Sequence, residues 1–365
     1  ATAGVSAPAL FDAAAVEAAS RIDAFQPLEI ATTAWALTTA VPASGVSDDV
    51  AEFFVRLTWL LRQRLSEADL PPHELSLLAR AVVRGLEHPG LIDAICAAPS
   101  ATAAMASVGG AAGVGVVAGG VTLGKGAASG GAGSVTLLLC ELGDSLASHA
   151  LSRLDRLKPY QLCRTAHNLA SLGHCRPLSY QALGRAASSQ LDLMTVPDLA
   201  TLVWAHAAAR QAAPDLFAAV GAAAAKELGR AGGPELSQLA LAFSAADVQH
   251  PSLFSPGFSV RCAWLHAAGE LAPDELVALH HWQLWRDEGQ RTGLEPRLAA
   301  LCQEEFAHRE AARGDGAHRA GDVAGAINEV AATLASLGFL PQRDVRTARG
   351  FRIGLLVARP TGGGS

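Results

Sequence analysis

The sequence is poor in aromatic and in charged residues. Only 5% of its 365 residues are aromatic and 17% are charged, whereas half are apolar. Few large rings argue against a sheet sandwich with an aromatic core. Alanine, the residue with the highest helix propensity, is the commonest apolar residue. The composition therefore predicts an all-α protein whose helices pack through small side chains.

An excess of positive charge is also missing. The chain has 28 lysines and arginines against 34 acidic residues, a formal net charge of −6. Non-specific binding to nucleic acid depends on neutralising many phosphates at once, which a negative balance does not favour. The net negative charge argues against a broad basic surface but is compatible with a local basic face.

Paired cysteine motifs are absent, although the chain has six cysteines. Their scatter predicts reduced thiols in an intracellular protein and not a disulfide framework. The closest group of cysteines and histidines, at residues 163–175, matches no common zinc spacing. We therefore predict no metal and no cofactor.

Catalytic motifs are missing as well. No histidine shares a helical spacing with paired carboxylates, and neither Gly-x-Ser-x-Gly nor His-Glu-x-x-His occurs. Residues 119–125 fit the G-x-x-x-x-G-K pattern of a phosphate loop, but Gly126 stands where Ser or Thr must hold Mg²⁺. The sequence predicts a protein that is not an enzyme.

Regular structure is not expected in residues 99–134, which are too rich in glycine for a helix. Residues 94–124 carry no charge, but Pro99 and the glycines argue against a membrane span. We predict a flexible Gly/Ala-rich insertion and no membrane partner.

A repeated pattern occupies most of the remaining chain. In its clearest copy, residues 157–173, a proline lies near a helix start, Leu and Ala follow at helical spacing, and a glycine ends the helix. Leu162, Leu199 and Leu236 hold the same register position, 37 residues apart each time, and Leu276 follows 40 residues later. Weaker copies begin near residues 25 and 70. Such a period predicts an α-solenoid of helical-hairpin repeats, each of about 37–40 residues.

The pattern divides the chain into four predicted segments. N-terminal repeats occupy residues 1–98, the insertion 99–134, the main array 135–312, and a small α/β segment 313–365. The last segment is expected to contain a helix that ends at a Leu-Gly pair and a strand over residues 350–358.

The array has a polar side that could contact RNA. Positions 0, +4 and +7 from the register leucine form the predicted buried stripe, and positions −1, +2 and +6 face the other way. Proteins built from helical repeats read single-stranded RNA with a few polar side chains per repeat. The alternative is an ordinary solvated face. The predicted RNA-binding residues are Lys158, Gln161, Arg164, Asn168, Thr201, Gln238, Arg80 and Arg84.

Aromatic rings recur five residues after the register position, at Trp35, His167 and Trp204. They could form a stacking platform for bases. The +5 position lies on the flank where a neighbouring helix packs, so we favour packing between repeats.

With these motifs, the chain resembles the octotricopeptide-repeat proteins of green-algal organelles, which are related to the Fas-activated serine/threonine kinase-like proteins. The matching residues are the Pro-x-x-Leu starts at Pro72, Pro159 and Pro273, the sequence Ala-Trp-Ala-Leu at 34–37, and His-Asn-Leu-Ala-Ser-Leu-Gly at 167–173. The resemblance implies an organellar RNA-binding α-solenoid.

The C-terminal segment resembles the beginning of a RAP domain, which commonly follows such repeats. Leu337-Gly338 and the Gly-Phe-Arg-Ile sequence at 350–353 match that family. Gly354 replaces the family's aspartate, and its Glu-x-Asp-Gly sequence is absent. Because the family's endonuclease-like fold uses those carboxylates where it is active, the resemblance implies a degenerate structural cap and not a nuclease.

The resemblance implies a non-catalytic protein that binds and stabilises RNA in a mitochondrion or, alternatively, a chloroplast. Ribosomal RNA fragments and organellar transcripts are the expected RNA partners. The low basicity favours a component of a larger ribonucleoprotein such as a mitochondrial ribosome, where neighbouring proteins add affinity. The alternative is a scaffold that binds proteins through the same array, and a RAP-type endonuclease is less favoured.

Overall fold

A computed structural model describes residues 7–41, 46–66, 72–88, 91, 94, 143–144, 146–288, 293–315, 320–347 and 351–357. The Gly/Ala-rich insertion predicted at 99–134 and the phosphate-loop-like sequence within it lie outside these residues. Between residues 143 and 288, every regular element that the structure describes is helical. This confirms the helical class expected for the main array.

The regular elements are helices followed by one small sheet. Seven of the helices whose bounds the described residues give are α1 (Pro8–Ser20), α2 (Pro27–Ala40), α3 (Asp48–Ser66), α4 (Pro72–Glu87), α5 (Pro159–Ser171), α6 (Pro177–Ser188) and α7 (Val196–Ala208). The remaining elements are α8 (Pro214–Lys226), α9 (Gly233–Ala245), α10 (Pro256–Ala267), α11 (Pro273–Glu288), α12 (Pro296–Asp315), α13 (Ala320–Ser336), β1 (Pro341–Arg346) and β2 (Arg352–Val357). Short 3₁₀ turns span Ile22–Ala24, Leu154–Arg156, Leu191–Leu193 and Leu228–Arg230.

The 37-residue period is visible in local structure. Three of the 3₁₀ turns begin at Leu154, Leu191 and Leu228, so the same element returns after 37 residues twice. Most helices then begin with proline, whose fixed φ suits the first turn and whose missing N–H has no partner there anyway. The sequence pattern therefore correctly identified where the hairpins repeat.

The helices that begin each repeat bury the predicted stripe. Positions 0, +4 and +7 are at most 2% exposed in α5, α7 and α9. These residues are Leu162, Ala166 and Leu169 in α5, Leu199, Val203 and His206 in α7, and Leu236, Ala240 and Phe243 in α9. Burying such a stripe supplies most of the stability of short helices, because helix propensity alone is too weak.

The chain divides into two compact units. The first contains residues Ala1–Arg230 and Ala245–Leu253. Within it, α2 packs on α4, α4 on α5, and α5 on α7, which makes one layer of neighbouring helices. Helices α6 and α8 contact each other and lie behind α5 and α7, while α1 packs on α3. This unit is a two-layered stack of helical hairpins, as the period predicts.

The second unit contains residues Ala231–Ser244 and Phe254–Ser365. Its core includes Trp282, whose ring centroid lies 5.1 Å from that of Phe254 and 5.0 Å from that of Phe258. Helix α11 packs along α12, and the ring of Phe351 meets that of Phe306 on α12 at 5.1 Å. Large rings here compensate for the small side chains elsewhere.

The C-terminal segment contains a helix and a hairpin. Helix α13 ends at Ser336, and Gly338 adopts φ +84°, which confirms the predicted Leu-Gly stop. Strand β2 falls within the predicted strand and pairs antiparallel with β1, from Pro341 opposite Val357 to Arg346 opposite Arg352. The sequence did not predict β1, because its residues are mostly polar and do not alternate.

Candidate nucleic-acid interface

A pocket of about 320 Å³ lies in the first unit, where α4, α5 and α7 meet. Five of the eight side chains predicted to bind RNA line it. The lining residues are Arg80, Val83, Arg84, Cys163, Arg164, His167, Asn168, Pro197, Asp198 and Thr201. Folding thus brings together polar side chains that lie up to 121 positions apart, between Arg80 and Thr201, in the sequence.

The walls of this pocket are basic. Arg80 and Arg84 are one helical turn apart on α4, and Arg164 comes from α5. Asp198 is the only acidic side chain among the lining residues, so their formal charges sum to +2. Within the described part of the chain, neither Arg84 nor Arg164 forms an ion pair. A small cleft lined by several arginines attracts anions even when the whole molecule is acidic.

Asp198 is fixed by its own helix. Its Oδ2 atom accepts hydrogen bonds from the backbone N–H and the hydroxyl of Thr195, at 3.1 and 2.7 Å. This capping box anchors the first turn of α7. The carboxylate therefore has a structural role and still lowers the positive charge of the pocket by one.

His167 gives the pocket an uncharged aromatic ring. It stacks on Trp204 of α7, with ring centroids 4.7 Å apart and planes inclined by 25°. Burial, together with the charges of Arg80 and Arg164, lowers the pKa of His167 to about 4, against the weaker opposing effect of a hydrogen bond with Asn168. The imidazole is therefore neutral near pH 7 and does not add to the charge that attracts an anion.

The neighbouring thiol is not reactive. Burial, and next the negative charge of Asp198, raise the pKa of Cys163 to about 12. A thiol that stays protonated is neither a nucleophile nor a metal ligand. Cys163 is buried and thus contributes packing.

The packing interpretation of the +5 position is confirmed for His167 and Trp204, whose rings stack between α5 and α7. His167 also lines the pocket, however, and sequence reasoning did not select it as a site residue. The sequence feature that could have identified His167 is its position next to Asn168, which was predicted to bind RNA. Trp35 on α2 is 40% exposed.

The predicted outward row is wrong at position +6 and, in α5, at position −1. Position +6 is buried in every copy, with Asn168 at 4%, Ala205 at 0% and Ala242 at 1% exposure. In α5 the reason is that the helix has three neighbours, α4, α6 and α7, so its buried arc is wider than one stripe. Asn168 reaches the pocket although little of it is exposed.

Position −1 is used for helix capping. Gln161 is 7% exposed, and its Oε1 accepts the backbone N–H of Lys158 at 2.9 Å. Four carboxylates likewise accept a hydrogen bond from the backbone N–H of the residue three positions earlier. They are Glu29, Asp198, Glu235 and Glu275. A buried capping side chain is poorly placed to meet a base, which corrects the prediction that Gln161 faces outward.

The other two predicted residues lie away from the pocket lining. Lys158 is exposed and occupies the N-cap position of α5. Gln238 is half-buried on α9, in the second unit. The arrangement thus separates Arg80, Arg84, Arg164, Asn168 and Thr201, which share one cavity, from Lys158, Gln161 and Gln238, which do not line it.

A Ser–His–Asp line that the sequence did not reveal lies elsewhere in the first unit. Nδ1 of His174 is 3.0 Å from Oδ1 of Asp144, and its Nε2 is 2.9 Å from Oγ of Ser179. Asp144 also pairs with Arg176. Ser179 is only 4% exposed, and the line connects the residues before α5 to the start of α6.

The described residues also bear on metal sites and on membrane spans. No three side chains among their His, Cys, Asp and Glu residues come close enough to hold a metal ion. No helix in the same residues is both long and apolar enough to cross a membrane.

Comparison with known protein families and with curated proteins finds no match to this chain.

Proposed function

We propose that the first unit binds single-stranded RNA at the arginine-lined pocket and that the protein is not an enzyme. The supporting observation is that five side chains selected from the sequence for RNA contact line one cavity between three helices. The resemblance to octotricopeptide-repeat proteins points to the same class of ligand.

The chemistry of the lining suits a phosphate backbone. Arginine guanidinium groups form bidentate hydrogen bonds with phosphate oxygens, and Arg84 and Arg164 have no competing ion pair among the described residues. Asn168 and Thr201 add neutral polar groups that can meet a sugar or a base edge. With a net charge of −6 overall, binding depends on this local cluster and not on the bulk of the surface.

On the resemblance, we propose that the protein works in a mitochondrion or chloroplast. There it would hold ribosomal RNA or an organellar transcript, and neighbouring proteins of a ribonucleoprotein would add contacts. An RNA-binding component of a mitochondrial ribosome is the specific form of this proposal.

One observation favours a second function, the binding of a protein partner. In the second unit, Val260 and Trp264 lie one turn apart on α10 and are 68% and 53% exposed. The guanidinium carbon of Arg261 lies 4.5 Å from the Trp264 ring centroid. Exposed Trp and Arg side chains are typical of the centres of protein interfaces. This surface supports the scaffold alternative.

The test is binding of a labelled single-stranded RNA of randomised sequence, followed by fluorescence anisotropy. The variant Arg84→Ala/Arg164→Ala is expected to weaken binding about tenfold or more, since each lost charged hydrogen bond is worth about 1.5–3 kcal/mol. The control Arg185→Ala/Arg230→Ala removes the same charge from exposed positions of the first unit outside the pocket. Equal loss in both variants, or no RNA binding by the wild type, would overturn the proposal.

A further inference from the structure

Two exposed aromatic rings belong to the helix layer that carries the arginine-lined pocket. Trp35 on α2 is 40% exposed, and Tyr160 on α5 is 43% exposed. His167 and Trp204 of the same layer stack on each other. Trp35 and Tyr160, in contrast, contact no other aromatic ring in the described part of the chain. Their faces are therefore open to a ligand.

Trp35 is part of an uncharged stripe on the solvent side of α2. The four exposed residues of this stripe fall within about 60° of one another, opposite the buried side of the helix. They are Leu28, Thr32, Trp35 and Thr39. The Thr32 hydroxyl donates to the carbonyl of Leu28 at 2.9 Å, and the Thr39 hydroxyl donates to that of Trp35 at 2.7 Å. Since both hydroxyl protons are used inside the helix, the stripe offers a ligand apolar surface and one indole ring.

Tyr160 stands beside one of the arginines of the pocket. Tyr160 and Arg164 are four residues apart on α5, which places them one helical turn apart, and both are exposed. Arg164 lines the pocket and forms no ion pair within the described residues. A ring and a cation in this arrangement can meet a base and the neighbouring phosphate together.

The two rings flank the second arginine of the pocket. Helix α4, which carries Arg84, packs on α2 at one side and on α5 at the other. Trp35 holds the register position of His167, five residues after Ile30 as His167 is after Leu162. Because His167 lines the pocket, this register places Trp35 on the same side of the layer. Rings and cations therefore alternate from α2 to α5.

A single-stranded RNA has a matching alternation, because a charged phosphate separates each flat base from the next. Proteins that bind single strands without sequence preference combine basic groups with aromatic rings on which bases stack. A purely apolar partner would fit the stripe of α2 but would leave the arginines of α4 and α5 without a counter-charge. The alternation thus favours RNA over an apolar protein surface.

We propose that Trp35 and Tyr160 each stack on a base of the strand whose phosphates meet Arg84 and Arg164. This inference rests on the proposed function, because it specifies which groups hold the bases. Paired bases in a duplex are stacked on each other and offer no free faces, whereas the bases of a single strand can be splayed onto a ring. The site therefore selects single-stranded over double-stranded RNA of the same sequence.

The first experiment separates the aromatic face from apolar bulk. Trp35→Leu/Tyr160→Leu removes both rings and keeps apolar side chains, whereas Trp35→Phe/Tyr160→Phe keeps a ring at each position. Fluorescence anisotropy with a labelled single-stranded RNA should show binding about tenfold or more weaker in the leucine variant, because each lost stack costs about fivefold or more. The phenylalanine variant should stay within about threefold of the wild type.

The control is Trp59→Leu, which removes an indole that is 49% exposed on α3 of the same unit. Helix α3 packs on α1 and lies outside the layer formed by α2, α4, α5 and α7. This variant should bind RNA with the affinity of the wild type. Circular dichroism melting verifies that all variants are folded.

The second experiment removes the bases instead of the rings. An RNA with abasic residues keeps every phosphate, and it should bind the wild type about tenfold more weakly than the complete RNA. The leucine variant should bind both RNAs nearly equally, because the rings that the bases would meet are already absent. The wild-type comparison needs no substitution, so it tests the stacking even if the leucine variant is poorly folded.

Salt dependence separates stacking from charge. The leucine variant should have the same dependence of affinity on salt concentration as the wild type, because no phosphate contact is lost. Arg84→Ala/Arg164→Ala should instead reduce this dependence.

Three results would overturn the inference: equal RNA affinity of the leucine variant and the wild type, an equal loss in Trp59→Leu, or equal binding of RNA with and without bases. The first is also the result expected if the stripe of α2 binds a protein. Each would leave the proposed function intact, because RNA would still bind through the arginines. Failure of the wild type to bind any RNA would instead reject the proposed function itself.

Discussion

At the scale of single residues, the interior of the first unit contains histidines held in their neutral form. Burial lowers the pKa of His206 and of His174, although His174 also faces Asp144, and it lowers that of His167 to about 4. A histidine that is neutral when folded takes up a proton more readily when unfolded. Each of these residues therefore makes the folded state sensitive to acid.

His167 gives a testable case. Its folded pKa of about 4 lies below the unfolded value of 6.5, so its contribution is fully present above pH 6.5 and is lost as the pH falls towards 4. The loss is on the order of 3 kcal/mol at most. Between about pH 6.5 and 4, the melting temperature of His167→Gln should therefore decrease less than that of the wild type. His308→Gln, at an exposed site on α12, is the control substitution.

A second prediction concerns two glycines at the same position of successive repeats, Gly184 on α6 and Gly221 on α8. A Cβ on Gly221 would lie 2.5 Å from the His250 ring, and that ring is held by a 3.1 Å contact between its Nε2 and the carbonyl of Ala218. The steric clash in Gly221→Ala is expected to destabilise the protein by about 1–3 kcal/mol. The higher helix propensity of alanine offsets up to about 1 kcal/mol of this loss.

Gly184→Ala is the matched control, because its Cβ would lie 3.4 Å from both His206 and Leu216, an ordinary contact distance. It should be neutral or stabilise the protein by up to about 1 kcal/mol. Thermal melting followed by circular dichroism compares the two. Equal effects would contradict the close approach of α8 to His250.

At the scale of secondary-structure elements, each repeat uses the same devices to begin and end its first helix. A side chain at the third helical position caps the start, as Gln161 and Asp198 do. A residue in the left-handed region ends it, at Gly173 with φ +77°, Arg210 with φ +55° and Asp247 with φ +53°. These sites are 37 residues apart, so local backbone geometry repeats even where the residue type does not.

The capping role of Gln161 predicts the effect of its substitution. Gln161→Ala should lower stability by about 1 kcal/mol, because the Lys158 N–H loses its acceptor. Gln161→Glu retains an acceptor and should be nearly neutral. Both variants should bind RNA with affinity within about twofold of the wild type, whereas a base-reading role would make the alanine variant weaker by about 1 kcal/mol or more.

The left-handed site after α7 predicts a stabilising change. An L-residue pays about 1–2 kcal/mol in this conformation, which glycine avoids. Arg210→Gly should therefore raise the free energy of unfolding by about 1 kcal/mol, and Gly173→Ala at the equivalent site should lower it by a similar amount. Denaturant titration measures both, and opposite signs are the expected result.

Sequence pattern was sufficient for the period, the buried stripe and the choice of Arg84, Arg164 and Thr201 as accessible polar positions. It failed at Asn168 and Gln161, because the helical wheel assumes one buried face and takes no account of neighbours on both flanks or of capping. It also passed over His167, since spacing alone cannot show that one ring both packs on Trp204 and lines a cavity.

At the scale of the whole molecule, an acidic chain contains a basic pocket. The formal net charge is −6, whereas the lining of the pocket sums to +2. On the proposed function, RNA affinity depends on a few phosphate contacts at this pocket in the first unit. The number of these phosphate contacts can be obtained from the dependence of RNA affinity on salt concentration.

The most direct test of this claim is the salt dependence of RNA affinity in the wild type and in Arg84→Ala/Arg164→Ala. The logarithm of the association constant should fall linearly with the logarithm of salt concentration, by about 0.7 for each phosphate contact on single-stranded RNA. We predict that the double variant lowers the slope by about 1.4, while Arg185→Ala/Arg230→Ala leaves it unchanged. Equal slopes in the wild type and Arg84→Ala/Arg164→Ala, or RNA affinity that does not depend on salt, would contradict the account.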